Sequence, residues 1–299
     1  MTAGPRLVIG TAVPNRLRSH LWGDTFFAED VAISMRRLGW DVQVMTRNEL
    51  ARLRNSQADL VLYLRGNSPA PSLQVPHALW VISHPSGLEP NEISAAMHLF
   101  SASQHLAVEL NGSHLPQATN PERFRPVPVT ANTPGVGSVL FVGNSRGQRR
   151  RVVDFAIRAE LDLQVYGRKW SDTVPELKPH GRRIANYKLA ASYCGARIVL
   201  NDHWSDMAEA GIVSNRIFDA LACGAQVVTD VVTAMPQELR EHLHVFETFD
   251  EFGEAIGRVS DLSPYERTHR GAAARAYVSG SHSFDQRAKV LNEILRQQL

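Results

Sequence analysis

Cysteine is nearly absent from this chain of 299 residues. Cys194 and Cys223 stand alone, with no CxxC pair and no Cys/His run at ligand spacing, which argues against a structural zinc site. Two such cysteines suit a reducing compartment and read as small core residues. Excess charge is absent too: the formal net charge is +2, so no basic field marks nucleic acid as a main partner. No apolar run approaches the roughly 20 residues that a membrane span needs. No apolar signal core precedes Pro5-Arg6-Leu7-Val8-Ile9-Gly10, and the expectation is a cytoplasmic protein. Neither G-x-G-x-x-G nor G-x-x-x-x-G-K-[ST] occurs, which counts against a dehydrogenase or a P-loop kinase. A D-x-D pattern is missing as well, so no metal site is expected.

What is present is an ordinary globular composition, long enough for two domains. Short β-rich runs alternate with helical patterns, the mark of parallel sheets with crossover helices. The first half has runs at Arg6–Thr11, Asp41–Met45, Asp59–Leu64, Ala78–Ser83 and His98–Ala102. Between the first two, Phe27, Val31, Met35 and Leu38 recur at helical spacing, and Gly39 closes the helix Asp24–Leu38. The second half has strands at Ser138–Gly143, Leu163–Tyr166, Arg197–Asn201, Gln226–Thr229 and His244–Phe246. Its helices fit Arg149–Glu160, Asn215–Cys223, Asp250–Val259, Pro264–Val278 and Phe284–Gln297. The stretch Pro121–Gly137, rich in Pro, Gly and Thr, separates the halves. The expected division is 1–130, 131–283 and a terminal helix over 284–299. Two doubly wound α/β sheets joined in this way leave a cleft at the carboxyl edges of their strands, where open sheets bind ligands.

The segment Asn201–Asp230, NDHWSDMAEAGIVSNRIFDALACGAQVVTD, carries the most chemistry. A strand ends at Asn201 and a helix opens near Ser214 or Asn215, presenting backbone N–H groups and a dipole end suited to a diphosphate. Arg216 in the first helical turn has the wrong sign for the dipole, and a bound anion explains it better than helix stability does. Asp219, one turn on, shares a face with Asn215 and Arg216 and suits the hydroxyls of a ribose.

The run SNRIFDALACGAQVVTD resembles the donor-binding segment of GT-B glycosyltransferases, and most closely the spore-maturation-type group. FVGN at 141–144, with Gly143 and Asn144, is similar to that family's opening donor-domain strand. VYGRKW at 165–170, with Tyr166, is similar to its second strand, and ASYCGARIVLND at 191–202 to its strand ending at Asn201. Gly271 with SHSFDQRAKVLNEIL resembles its closing segment; HP at 84–85 and TNPERFRP at 119–126 resemble parts of its acceptor half. The resemblance implies a GT-B fold of two Rossmann-like domains. It also implies metal-independent transfer from a nucleoside-diphosphate sugar to a glycan, lipid-linked or small-molecule acceptor, with peripheral membrane contact open. No resident cofactor is implied. Arg146 with Arg149 or Arg150 would hold the diphosphate, stabilising the charge that builds on the leaving group.

One position departs from the family: where many retaining members carry a first Glu eight residues before the second acid, this chain has Gly211. Asp206 and Glu209 are close but out of register. Donor sugar and stereochemistry therefore stay open. For an inverting reaction His84 or Asp24, both at the expected cleft edge, would take the acceptor's proton. Among Trp22, Trp80, Trp170 and Trp204, Trp204 is the best candidate for a cleft residue. Two rival readings use the same fold: a nucleotide-sugar epimerase or phosphorylase, and a non-catalytic nucleotide-sugar or glycan-binding subunit. None of the four lysines sits in a recognisable pyridoxal site.

Overall fold

The computed structural model describes residues 4–20, 22–145 and 147–299. Strands pair in parallel in two sheets. The first has the order β2(Asp41–Met45), β1(Arg6–Thr11), β3(Leu60–Arg65), β4(His77–Val81), β5(His98–Ser101), β6(Ser113–His114). The second runs β11(His244–Phe246), β10(Val227–Asp230), β9(Ile198–Asn201), β7(Val139–Val142), β8(Leu163–Tyr166). Central strands are buried because helices cover both faces; every residue of LVLYLR at Leu60–Arg65 is buried, Arg65 in a pair with Glu92. In each sheet the order reverses beside the first strand, between β1 and β3 and between β7 and β9. The loops leaving those strand ends define where a ligand enters such a sheet.

The helix Gly23–Arg37 buries Phe27, Val31 and Met35 against the first sheet, as the spacing requires. The final helix, Phe284–Arg296, lies in that same core through Phe284, Ala288, Leu291 and Leu295, although the sequence just before it belongs to the second half. Phe284 meets Phe27 edge to face at 4.8 Å. Arg287 is buried and donates to the carbonyls of Pro116 (2.7 Å) and Gln117 (3.2 Å). The two chain crossings between the sheets run side by side: Thr119 N–H donates to His282 O (2.8 Å) and Phe284 N–H to Thr119 O (3.1 Å). Beyond this crossing Phe124 already packs in the second core, beside Tyr193 and Leu140.

Elements differ from expectation at their ends and in number. The helix placed at Arg149–Glu160 is Arg151–Arg158, which leaves Arg149 and Arg150 in the loop before it. The edge strand β6 has only two residues, Ser113 and His114, with no β-rich run to announce it. Helices at Asn186–Gly195 and Ser205–Glu209 are additional. Among the described residues no helix is long and apolar enough to cross a membrane.

Candidate functional site

The carboxyl ends of both sheets face one cleft. Its inner part is a cavity of about 400 Å³, lined from the first half by Asp24, Phe26, His84 and Arg123 and from the second by Gly143, Asn144, Tyr166, Asn215 and Asp219. It opens into an outer chamber of about 1080 Å³ that shares Asp24, His84 and Asn144 with it.

Two guanidinium groups converge at the end of β7. Arg150, in the loop after β7, sits 5.5 Å from the Phe141 ring, and Arg216, in the first turn of the helix Asn215–Ala222, sits 5.2 Å from it. Phe141 thus braces two cations drawn from loops on either side of the reversal point. Trp204 takes the other side of Arg150 at 4.6 Å. Arg150 is only 7% exposed, is paired with Asp202, and keeps a buried Nε with no partner. Arg216 donates to Asn201 Oδ1, and Asn201 in turn donates to Thr229 Oγ1 (3.0 Å). Asn201 is fully buried, so it aims Arg216 from behind and does not itself line the cavity.

The helix bearing Arg216 starts where expected. Ser214 is its N-cap residue, but its hydroxyl makes no capping bond; instead its N–H donates to His203 Nε2 (3.0 Å). That bond leaves the proton of His203 on Nδ1, which donates to Asp230 Oδ1 (2.6 Å). Burial acts to raise the Asp230 pKa, but the side-chain and backbone hydrogen bonds from His203 help to outweigh it and hold the carboxyl below its usual range. His203 therefore ties the ends of β9 and β10 to the start of the cation-bearing helix. Sequence reasoning missed this residue; its signal, NDHW directly after a strand, was read only for Trp204.

Asp219 is buried on the cavity wall, and both its oxygens are occupied. Thr119 Oγ1 donates to one (2.8 Å) and Asn215 Nδ2 to the other (2.9 Å). Burial pushes its pKa up to about 8, against the hydrogen bonds from Thr119 and Asn215 and the charge of Arg123. Ribose hydroxyls would have to use the lone pairs left over. Asn215 Oδ1 is also buried and has no partner.

On the facing wall His84 has φ 50° and ψ 55°, the left-handed region, although Pro85 follows it. A residue before proline favours extended backbone, so this conformation stores strain, as residues at functional sites often do. Its Nδ1 lies 3.7 Å from Asp206 Oδ2, and Ser86 Oγ donates to the same oxygen (2.9 Å). Asp24 borders both parts of the cleft with it.

The structure does not bring every expected residue to the cleft. Arg149 is turned away, half exposed, and paired with Asp154 and Glu176. Arg146 lies outside the described residues. Trp80 is in the core, its Nε1 donating to Leu115 O (2.8 Å), whereas Trp204 lines the inner cavity and Trp22 and Trp170 the outer chamber. Gly211 has φ +75°, and a Cβ there would fall 2.6 Å from Thr233 O, so this backbone rejects a side chain, an acid included, at that point. Arg182 and Arg183, with no motif to single them out, border both parts of the cleft.

Comparison with known proteins agrees with this architecture. Residues 148–293 match the family model described as Glycosyl transferase-like. A glycosyltransferase from Rickettsia africae ESF-5 superposes with a TM-score of 0.67 at 13% identity, covering 99% of each chain. Sucrose-phosphate synthase from Thermosynechococcus elongatus does so with a TM-score of 0.65 at 14% identity, over 98% of this chain and 99% of the other. An alpha-glucosyltransferase solved with UDP-glucose and DNA gives 0.59 at 11% identity, over 97% of this chain and 99% of that one. No curated protein sequence matches. The fold is GT-B, and residues 148–293 are similar to the glycosyl transferase-like family.

Proposed function

We propose that the chain moves a glycosyl group from a nucleoside-diphosphate sugar to an acceptor hydroxyl. The observation that carries this reading is the convergence of Arg150 and Arg216 on Phe141, with a buried orphan donor on Arg150. Arg150 is held by Asp202 and Arg216 by Asn201, so both guanidinium groups are preorganised beside the end of β7, where a bound anion can meet them. A diphosphate between them and the start of the helix Asn215–Ala222 satisfies both cations and the helix end. Nucleotide binding by a structural neighbour, the alpha-glucosyltransferase solved with UDP-glucose, supports the same reading. The likeness of SNRIFDALACG to the spore-maturation-type group supports placing the chain near it.

In the reaction the acceptor oxygen attacks the anomeric carbon, the bond from that carbon to the phosphate oxygen breaks, and the diphosphate leaves with the electron pair. Arg150 and Arg216 stabilise that charge. The acceptor's proton passes to His84, which Asp206 orients, with Asp24 on the same wall as the other candidate base.

The test is release of nucleoside diphosphate from a panel of UDP-, GDP- and dTDP-sugars, followed by chromatography in the wild type, His84→Ala and Arg216→Ala. One donor in the panel should be turned over by the wild type. Arg216→Ala should slow it by about 100-fold or more, in the range for losing a charge-stabilising donor. Binding without any turnover of a sugar nucleotide would favour a non-catalytic binding subunit.

A further inference from the structure

We infer that the outer chamber holds a second anion, a phosphate group carried by the acceptor, so that the acceptor is a phosphorylated compound and not a neutral sugar. This rests on the donor reading above, since the inner cavity is there given to the nucleotide.

The chamber's second-half wall is built from two basic pairs far apart in sequence, Arg168-Lys169 and Arg182-Arg183. Their meeting is not accidental. Past β8, Gly181 forms a parallel bridge with Tyr166; Gly167 N–H donates to Gly181 O (2.9 Å) and His180 N–H to Val165 O (2.8 Å). The segment 180–183 therefore runs along the edge of β8 and sets the second pair beside the first. The first pair is itself fixed. Trp170, buried, donates its indole N–H to Gly143 O (2.9 Å), and Arg168 N–H donates to Asn144 Oδ1 (2.8 Å). Lys169 has φ 62°, and Thr173 Oγ1 donates to its carbonyl (2.9 Å). At Gly167 a Cβ would sit 1.9 Å from Gly143 O, so only glycine allows the loop to close so tightly.

The charge on this wall is unspent. Among the described residues none of the four cations makes an ion pair, while arginines elsewhere on the surface do: Arg6 with Asp59, Arg37 with Asp285, Arg149 with Glu176. Only two carboxylates, Asp24 and Asp172, border the same chamber. Like charges gathered in a concavity focus the field and attract anions, at a cost in self-repulsion that an arriving phosphate removes. The arginine fork suits that group in particular. The leaving diphosphate is given to Arg150 and Arg216, and of the four cations Arg168 and Lys169 border the outer chamber alone. Asp24 and His84 stand on the opposite wall, so an acceptor anchored by its phosphate reaches the residues that take its proton.

The test uses inorganic phosphate as probe, at constant ionic strength, on protein saturated with whichever nucleoside diphosphate raises its melting temperature. Phosphate should give a further increase in the wild type. In Arg168→Glu/Lys169→Glu, at positions that border the outer chamber alone, that increment should need about tenfold or more phosphate, while the nucleotide shift persists. Absence of any phosphate increment overturns the proposal, and so does loss of the nucleotide shift in the double variant, which would assign these cations to the donor. If no nucleotide stabilises the protein, it is the donor reading that fails, and phosphate is then titrated alone. Binding lost in Arg168→Glu/Lys169→Glu but kept in Arg150→Ala/Arg216→Ala upholds the outer site; the reverse overturns it. Sedimentation with phosphatidylglycerol–phosphatidylcholine vesicles, lost in the double glutamate variant, marks a lipid-borne phosphate; a phosphate shift without vesicle binding marks a soluble one.

Discussion

At the scale of single residues, the site is a matter of which arginine faces which way. Arg150 and Arg149 are neighbours in a run that the sequence alone leaves equivalent, yet one is buried against Trp204 and the other points out to Glu176. Arg150→Ala is expected to weaken nucleotide binding by about tenfold or more, the loss typical of a charge-assisted contact, and Arg149→Ala to leave it nearly unchanged. Titration calorimetry of both variants checks this, and equal effects would refute the assignment. Asp219 makes a different prediction. With a pKa near 3.8 unfolded and about 8 folded, the folded state keeps a proton that the unfolded state has released across that window. The contribution of this carboxyl to stability is therefore full below about pH 4 and declines as pH rises towards 8. Asp219→Asn should flatten the fall in urea midpoint between about pH 5 and pH 8; an unchanged slope would show that Asp219 is ionised in the fold. Rotation of the Asn215 amide would let its orphan oxygen accept the proton of Asp219, consistent with that sign.

At the scale of elements, what was legible follows from how strongly each element depends on local pattern. β1, β2, β8 and β11 were readable to the residue as short strand-forming runs set between helical patterns, although β2, β8 and β11 lie at sheet edges. The two-residue β6 exists only by pairing with β5, which no local pattern records. The site divides in the same way. The helix start at Ser214–Arg216 was legible because cap, cation and diphosphate chemistry are adjacent in sequence. His203 was not, since its meaning depends on Asp230, a strand away. Arg182 and Arg183 were not either, because a bridge at Gly181 puts them in the cleft. Among the elements, the final helix is the strap most open to test. Leu291 is fully buried in the first core, so Leu291→Ala should cost about 2–5 kcal/mol, read from denaturant unfolding. A cost well under 1 kcal/mol would mean that the helix is not docked there.

At the scale of the whole molecule, two halves are joined by crossings that lie together at Thr119 and His282–Phe284. Such a pair of adjacent strands is a natural hinge, and the residues proposed for catalysis sit on opposite walls: His84 and Asp24 on one, Arg150 and Arg216 on the other. Nucleotide binding should therefore reduce the radius of gyration in small-angle scattering, and an unchanged profile with the site saturated would argue for a fixed cleft. The central claim, that the cavity at the end of β7 is built for a nucleoside diphosphate, is tested most directly by calorimetric titration of UDP, GDP and dTDP into wild type and Arg150→Ala/Arg216→Ala. The account predicts saturable binding of at least one of them to the wild type and its loss in the folded double variant. No binding to the folded wild type, or equal binding to both proteins, would contradict it.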